Sequence, residues 1–225
     1  MIKITKTAKP DVLEKNAAEW TRVVLDKLAA GEKLTSTDDA RYRHAEVKAA
    51  LVAETHGKCA YCESKLKHIH HGDVEHISPK SLEPAKRYEW SNLTLAFEIC
   101  NQNKSNRDPN VEHIIDPYTT EPSEHLTFIG SFIFSLGTNH GKNTEVLLDL
   151  NRASLLERRK SRLEQIMGIY ETVLRDDLPI ETRKVIYESL LLNDTTADSE
   201  YSGMIKSVVK CMREKLPPEL SALAY

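Results

Sequence analysis

The chain has 225 residues, of which 40% are hydrophobic and 29% charged, which suits one large domain or a small domain with helical additions. No apolar run approaches the roughly 20 residues of a membrane span, and residues 1–7 lack the apolar core of a signal peptide. We therefore expect a cytoplasmic protein without a membrane segment. The net charge of −3 argues against a protein that binds nucleic acid through its own positive charge alone.

The first region, residues 1–57, is predicted to be helical. Apolar residues recur at helical spacing from Pro10 to Ala30, and Gly31 follows as a C-terminal stop. The sequence Ser36-x-x-Asp39 then has the form of a helix cap, and it predicts a second helix that runs to about Thr55.

The second region, residues 58–108, alternates short apolar runs with turn residues. Val74–Ile77 is predicted to be a short strand, and the apolar run 92–99 is compatible with a strand or a helix. Cys100–Asn106 is predicted to be a polar helical turn.

The third region, residues 109–225, is predicted to be mainly helical. Two β-prone runs, Leu126–Ile129 and Phe132–Leu136, come first, and a Gly/Asn loop is expected at 137–141. Apolar stripes then predict helices at 156–174, 180–191 and 201–212. We expect the three regions to form one compact unit.

An acidic residue, a histidine and two asparagines stand in an ordered pattern in the second region. Glu75 directly precedes His76, Asn92 follows sixteen residues after the histidine, and Asn101 comes nine residues later. A histidine can take a proton from water near neutral pH, and on a strand the preceding carboxylate points to the opposite face. Carboxylate and amide oxygens suit a hard cation such as Mg²⁺ or Mn²⁺. The pattern predicts a general base beside a metal ion, as hydrolysis of a phosphodiester requires.

The segment 58–107 resembles the ββα-metal core of HNH endonucleases. By that resemblance Glu75 and Asn101 are the metal ligands and His76 is the general base. Asn92 takes the structural asparagine position, fixing the loop or the histidine backbone. The resemblance implies an α+β, mostly helical fold, in which a small ββα-metal core is embedded in N- and C-terminal helices. The candidate nucleic-acid contacts are Lys80, Lys104 and Arg107.

Further motifs extend the resemblance over most of the chain, among them Lys58-Cys-Ala-Tyr-Cys-Glu63, Ile115-Asp-Pro117 and Leu150-Asn-Arg152. Together they resemble the HNH subfamily linked to retrons and to Septu anti-phage systems, the PtuB-like nuclease subunits. That resemblance implies a DNA nuclease that works beside an ATPase partner, PtuA-like, in phage defence. Two alternatives stay open: an HNH nuclease directed at RNA or tRNA, and a degenerate HNH module that mainly docks a partner.

The cysteines depart from the pattern in which two CxxC pairs hold a structural zinc. Cys59 and Cys62 form one pair, but the second survives only as Cys100, because Phe97 stands three residues earlier. The three thiolates could bind Zn²⁺ with a histidine such as His56 as fourth ligand. Alternatively, the thiols pack without metal as small hydrophobes.

Several histidines, a run of basic residues and a cysteine lie outside the motif. His68, His70 and His71 are predicted to lie in a surface loop, with DNA contact as the alternative. The basic run 158–162 is predicted to be the solvated face of a helix or a surface that follows a phosphate backbone. Cys211 is expected to be a buried or inert thiol.

Overall fold

The computed structural model describes residues 1–66 and 72–223. His68, His70 and His71, for which a surface loop is predicted, lie outside the described residues. Within the described ranges, no helix combines the length and the apolar character that crossing a membrane needs.

The N-terminal region contains the helices α1 (Asp11–Ala29), α2 (Ser36–Ala40) and α3 (Ala45–Glu54). The first confirms the helix predicted before Gly31. The prediction of one continuous second helix is wrong, because a 3₁₀ turn at Arg41–Arg43 and the following residue, His44, interrupt it. His44 has φ −52° and ψ 144°, and its Nδ1 accepts a hydrogen bond from the Glu46 N–H that opens α3.

The cap of α2 lies one residue earlier than predicted. Thr35 Oγ1 accepts from the Asp38 N–H at 3.1 Å, and the Asp38 carboxylate accepts from the Thr35 N–H at 3.3 Å. This reciprocal capping box satisfies backbone donors that the first helical turn leaves unpaired. The Ser36-x-x-Asp39 cap is therefore wrong by one position.

A two-stranded antiparallel sheet and a short helix form the centre of the molecule. β1 (Asp73–His76) pairs with β2 (Leu93–Ala96), with Asp73 opposite Ala96 and His76 opposite Leu93. The helix α4 (Glu98–Lys104) follows directly after β2. All four residues of β2 are buried, and the one polar residue among them, Thr94, has its hydroxyl hydrogen-bonded to the Tyr118 hydroxyl at 2.8 Å. This ββα unit confirms the predicted core.

The C-terminal region begins with the short helix α5 (Pro109–Glu112) and a hairpin, β3 (Leu126–Ile129) and β4 (Phe132–Ser135). Both predicted strands are confirmed. The remaining helices are α6 (Asn139–Leu147), α7 (Ala153–Val173), α8 (Ile180–Asp194), α9 (Ser202–Met212) and α10 (Pro218–Ser221).

The loop predicted at 137–141 is wrong in its second half, because α6 begins there. Thr138 caps the helix by accepting from the Gly141 N–H at 3.1 Å. Gly141 lies so close to the preceding segment that a Cβ atom would come within 2.2 Å of the His125 carbonyl oxygen. The glycine therefore serves a close approach of two backbones rather than a flexible loop.

The backbone of β4 is fixed by side chains from outside the hairpin. The Ile133 N–H donates to Asn151 Oδ1 at 2.9 Å, and Asn151 Nδ2 donates to the Ile133 carbonyl at 2.8 Å. The Ser135 N–H donates to Glu145 Oε2 at 2.9 Å. These bonds occupy edge groups that would otherwise be available to another strand.

Buried apolar side chains form two clusters. The first joins the N-terminal helices to the ββα unit and includes Leu51, Leu93 and Leu95. The second lies among α7 to α10 and includes Ile166 and Leu190. The ββα unit thus shares one core with the N-terminal helices, the hairpin and the start of α7, whereas the rest of α7 and the helices α8 to α10 bury a second core. The architecture is α+β and mostly helical, as predicted.

Two expectations for polar residues of the C-terminal region change. In the basic run 158–162, Arg158 is exposed, but Arg159 is buried, and its Nη1 donates to the Leu150 carbonyl at 2.7 Å. The run is therefore only partly a solvated face. Cys211, expected to be a buried or inert thiol, is exposed.

Glu54, at the end of α3, connects the N-terminal segment to the sheet. Its carboxylate accepts from Lys6 Nζ at 3.0 Å, from the Thr7 N–H at 2.7 Å and from the Tyr118 hydroxyl at 2.7 Å. Lys6 Nζ also donates to the Leu93 carbonyl on β2 at 2.6 Å. A buried carboxylate with this many donors is well compensated.

Glu54→Ala is expected to lower the free energy of unfolding by about 3–5 kcal/mol, because it leaves the largely buried ammonium of Lys6 and other donors unpaired. Urea unfolding at neutral pH measures the change. Glu19→Ala removes an exposed partner of Arg22 and should leave the unfolding midpoint nearly unchanged. Equal midpoints for the two variants would contradict this role of Glu54.

Candidate active site

β1 and α4 bring three of the predicted residues to one cleft. Glu75 and His76 reach it from β1, and Asn101 reaches it from α4. The cleft has a volume of about 620 Å³ and lies between the ββα unit and the N-terminal helices. Residues that are distant in sequence thus line one concave surface, which is where ligand sites usually form.

Glu75 is buried beside Lys104. The two side chains are 8% and 1% exposed, and Lys104 Nζ lies 2.9 Å from Glu75 Oε1. The same ammonium donates to the His76 carbonyl at 2.8 Å. Burial raises the pKa of Glu75 above its ordinary value, and the nearby ammonium opposes that shift. Lys104 was expected to meet a phosphate, but its ammonium lies inside the protein and contacts β1.

His76 is held in one tautomer. Its Nε2 lies 2.9 Å from the Arg87 carbonyl oxygen, which can only accept, so Nε2 carries the hydrogen and Nδ1 is left as an acceptor. The Tyr42 ring packs edge-on against the imidazole, with centroids 4.5 Å apart. Burial lowers the pKa of His76 to about 4. The imidazole is therefore neutral near pH 7, as a general base must be.

Asn92 bonds to the loop that follows β1. Its Oδ1 accepts from the Ser78 N–H at 2.7 Å, and its Nδ2 donates to the Ser78 carbonyl at 3.0 Å and the Lys86 carbonyl at 3.1 Å. The side chain is buried and does not line the cleft. Asn92 therefore fixes the segment between His76 and Arg87, whose carbonyl orients the imidazole.

Asn101 contacts an acidic residue that the motif does not assign a role. Asn101 Nδ2 donates to Asp73 Oδ2 at 3.0 Å, and Asp73 also lines the cleft. Asp73 stands two residues before Glu75 on β1, so their side chains share one face of the strand. Strand periodicity could have predicted that the two carboxylates lie side by side.

The remaining candidate nucleic-acid contacts lie in different places. Lys80 lines the cleft, and its ammonium lies 2.8 Å from Asp39 Oδ1 and 3.3 Å from the Tyr42 hydroxyl. Arg107 follows α4, is exposed and lies 3.8 Å from Glu112, and it is not among the residues that line the cleft. Their roles stay predictions.

The N-terminal helices contribute cleft residues that the sequence reasoning missed. Arg43 and Lys48 line the cleft together with Tyr42. Asp39 bonds to Arg87 as well as to Lys80, so it fixes the residue whose carbonyl orients His76. No spacing rule connects these positions to the motif, because tertiary packing alone brings them there.

Three cysteines, one of them on α4, form a buried cluster next to Arg152, the residue that precedes α7. The sulfurs of Cys59, Cys62 and Cys100 lie within 4.8 Å of one another, and the cluster could bind a metal ion. Hydrogen bonds from the neighbouring thiols lower the pKa of Cys62 well below its ordinary value. Arg152 Nη2 donates a hydrogen bond to Cys100 Sγ at 3.4 Å.

Within residues 1–66 and 72–223, the cluster offers three of the four ligands that a structural zinc site usually has. Among the described residues, no histidine nitrogen or carboxylate oxygen joins the three sulfurs. His56 is not among the residues that the structure brings to the three sulfurs, and zinc binding by the cluster stays a prediction. The guanidinium of Arg152 instead lies against Cys100 and over the ring of Phe97, the residue at the position of the missing cysteine.

Comparison with known proteins agrees with the geometry of the cleft. Residues 59–107 match the HNH endonuclease family. The chain carries an HNH endonuclease domain. That domain is the ββα unit together with the preceding CxxC segment, and it identifies a nuclease of the hydrolase class.

The similarity extends beyond the HNH domain. The chain is 29% identical to a Septu protein PtuB of Bacillus mycoides (strain KBAB4), over 71% of this chain and 66% of that protein. It is 28% identical to a Septu protein PtuB of Bacillus thuringiensis, over 72% of this chain and 68% of that protein. The matches thus span about two thirds of each relative. The predicted resemblance to PtuB-like HNH proteins is confirmed over most of the chain.

The buried, neutral state of His76 predicts a pH-dependent stability in metal-free protein. The folded pKa, about 4, lies below the unfolded value of about 6.5, so the unfolded state binds more protons between these values. The free energy of unfolding should therefore fall as the pH drops from about 6.5 towards 4. Urea unfolding in EDTA at several pH values measures this.

His76→Gln should show a smaller fall in stability over that range, because it removes the titrating group. His56→Asn is the matched control, since His56 is exposed and has a φ of 54° that asparagine also tolerates. The control should keep the wild-type pH dependence. The same pH dependence in His76→Gln and in wild type would exclude His76 as the source.

Proposed function

We propose that the chain is a metal-dependent endonuclease that cleaves DNA, as the nuclease subunit of a Septu- or retron-type anti-phage defence complex with an ATPase. The single observation that carries the nuclease proposal is the cleft in which Glu75, His76 and Asn101 lie together. The similarity to two Septu proteins supports the defence role. A cytoplasmic location is part of the same proposal.

The residues present fit a hard divalent cation. Glu75 offers a buried carboxylate and Asn101 an amide oxygen at the same cleft, and oxygen ligands of this kind suit Mg²⁺ or Mn²⁺. A cation held there supplies Lewis-acid stabilisation of the charge that develops on a phosphate. Burial raises the pKa of Glu75, and the ammonium of Lys104 acts in the opposite direction by favouring the ionised carboxylate.

His76 activates water in this proposal. Its Nδ1 is the free acceptor, so it takes the proton as the water attacks phosphorus and the bond from phosphorus to one sugar oxygen breaks. The leaving oxygen takes up a proton from solvent. The Arg87 carbonyl accepts from Nε2–H and so stabilises the positive charge that the ring acquires. The edge-on contact with Tyr42 restricts the ring to one orientation. Precise orientation of this kind is what a general base requires.

The charge of the cleft supports a nucleic-acid substrate, but only modestly. Arg43, Lys48 and Lys80 line it, and they lie where a phosphate backbone would pass. Over residues 58–107 the chain has eight Lys and Arg against six Asp and Glu, so the HNH region is nearly balanced. Strong non-specific affinity for DNA requires neutralisation of several phosphates. We therefore propose that the isolated chain cuts weakly and that a partner recruits substrate.

His76→Ala is expected to reduce cleavage at least about 10²-fold, in line with general-base contributions. Plasmid nicking in Mg²⁺ or Mn²⁺ by the complete complex measures it, with His56→Ala as the control at an exposed histidine. Glu75→Ala and Asn101→Ala should weaken the metal dependence, and EDTA should abolish cutting. Activity of His76→Ala within a few-fold of wild type would remove His76 from the mechanism.

The same assay separates the alternative functions. Cleavage of RNA or tRNA with DNA left intact would favour the RNA-directed nuclease. A complex that forms normally but cuts no nucleic acid in any metal would favour the degenerate docking module. Undiminished cutting in EDTA would contradict the metal-dependent scheme.

An exposed apolar surface supports the partner proposal. Four residues of the β3–β4 hairpin are 40–66% exposed and form what we call the hairpin patch: Ile129, Phe132, Phe134 and Leu136. Ile129 is the cross-strand partner of Phe132, and the rings of Phe132 and Phe134 lie 6.2 Å apart, so the patch is continuous. Contiguous apolar surface of this kind marks protein interaction sites. We propose that the ATPase docks on it.

The double variant Phe132→Glu with Phe134→Glu is expected to abolish complex formation, because it places charge in an apolar interface. Size-exclusion chromatography of the chain co-expressed with the ATPase of the neighbouring gene measures binding, and thermal unfolding checks the fold. Val185→Glu with Leu192→Glu is the matched control on α8, where both side chains are also exposed. Docking at the hairpin patch would be contradicted if both double variants lost binding equally. It would also be contradicted if neither variant lost binding.

A further inference from the structure

Asp73 is the feature of the cleft that the proposed mechanism does not use. It lies on β1 two residues before Glu75, lines the cleft and approaches Asn101 across the gap between β1 and α4. The two candidate ligands are therefore each held by a charged neighbour: Lys104 contacts Glu75, and Asp73 contacts Asn101.

The contact with Asp73 determines which way the amide of Asn101 faces. The oxygen and nitrogen of an asparagine side chain have nearly the same shape, so only the bonding partner distinguishes them. An ionised carboxylate accepts hydrogen bonds and donates none. The atom 3.0 Å from Asp73 Oδ2 is therefore the amide nitrogen of Asn101.

Because the Asn101 side-chain nitrogen bonds to Asp73, the Asn101 side-chain oxygen faces away from Asp73. In the described part of the chain, no hydrogen bond is assigned to Asn101 Oδ1, although Asn101 lines the cleft. A cation attracts the amide oxygen and is repelled by the N–H₂ group, so only this orientation makes Asn101 a ligand. Without Asp73, the amide would be free to turn its nitrogen towards the cation.

We propose that Asp73 is a positioning residue that selects the metal-binding orientation of Asn101. The proposal rests on the proposed function in one respect, the assignment of Asn101 as a metal ligand. Asp73 acts through the amide, and it does not itself coordinate the cation. Mutation of a residue that orients a metal ligand in this way typically weakens metal affinity about 10- to 100-fold.

The test measures Mn²⁺ binding to the full-length chain without nucleic acid, by electron paramagnetic resonance of the free ion. Asp73→Ala is expected to weaken the Mn²⁺ Kd about 10- to 100-fold. Asp73→Asn should weaken it less, because the new amide oxygen can still accept from Asn101. Glu98→Gln is the matched control: it removes one negative charge from α4, the helix that carries Asn101, and should change the Kd less than about threefold.

A double-mutant cycle decides between positioning and direct coordination. If Asp73 acts through Asn101, adding Asp73→Ala to Asn101→Ala should weaken binding no further. Fully additive losses would identify Asp73 as an independent ligand and overturn the proposal. An unchanged Kd in Asp73→Ala, with thermal unfolding equal to wild type, would overturn it too.

This experiment is independent of nuclease activity. If wild type binds Mn²⁺ and the cycle is non-additive, the positioning role stands even where no nucleic acid is cut, and only the proposed function fails. If wild type cuts DNA but Asp73→Ala binds Mn²⁺ as tightly as wild type, the proposed function stands and the positioning role fails.

Discussion

Lys104 reaches from α4 back to β1, where its ammonium contacts both the carboxylate of Glu75 and the carbonyl of His76. Both charged groups are almost fully buried, so neither is compensated by water. Loss of one partner of such a pair typically costs about 3–5 kcal/mol. The contact therefore ties the strand to the helix and sets how far the carboxylate of Glu75 lies from the amide of Asn101. Every other part of the cleft is arranged around that fixed pair of elements.

The active-site geometry extends beyond the residues that match the HNH family. Asp39 on α2 bonds to Arg87, and the Arg87 carbonyl in turn orients His76. Tyr42, in the turn between α2 and α3, restrains the same imidazole from the other side. The N-terminal helices are therefore part of the site rather than an appendage, which explains why one apolar cluster spans both.

The local elements of the core could be predicted, because each depends on neighbouring residues. The short segment Val74–Ile77, bounded by turn residues, predicted β1, and the polar segment after the apolar run 92–99 predicted α4. The buried position of Lys104 could not be predicted. A basic residue at the end of a helix is usually exposed, and only the tertiary fold brings the carboxylate of Glu75 to it. Arg43 and Lys48 were missed for the related reason that only tertiary packing brings them to the cleft.

Breaks within helices and exact caps were also beyond the sequence reasoning. No glycine or proline marks the interruption at His44, and the turn before it carries Tyr42, whose ring packs against His76. The cap at Thr35 competes with a second plausible cap one residue later, and both satisfy the same spacing rule. Choices between near-equal local alternatives are made by the surrounding structure.

The segment Asn151-Arg152 joins two parts of the protein that are otherwise far apart along the chain. Asn151 holds the backbone of Ile133 in the hairpin, while Arg152 touches the sulfur of Cys100, the residue directly before Asn101. A protein bound to the hairpin would therefore contact β4, whose backbone is bonded to Asn151. The next residue, Arg152, contacts α4, the helix that carries the proposed metal ligand Asn101. A tilt of the hairpin would therefore strain the bonds at Asn151, the residue next to the one that contacts α4.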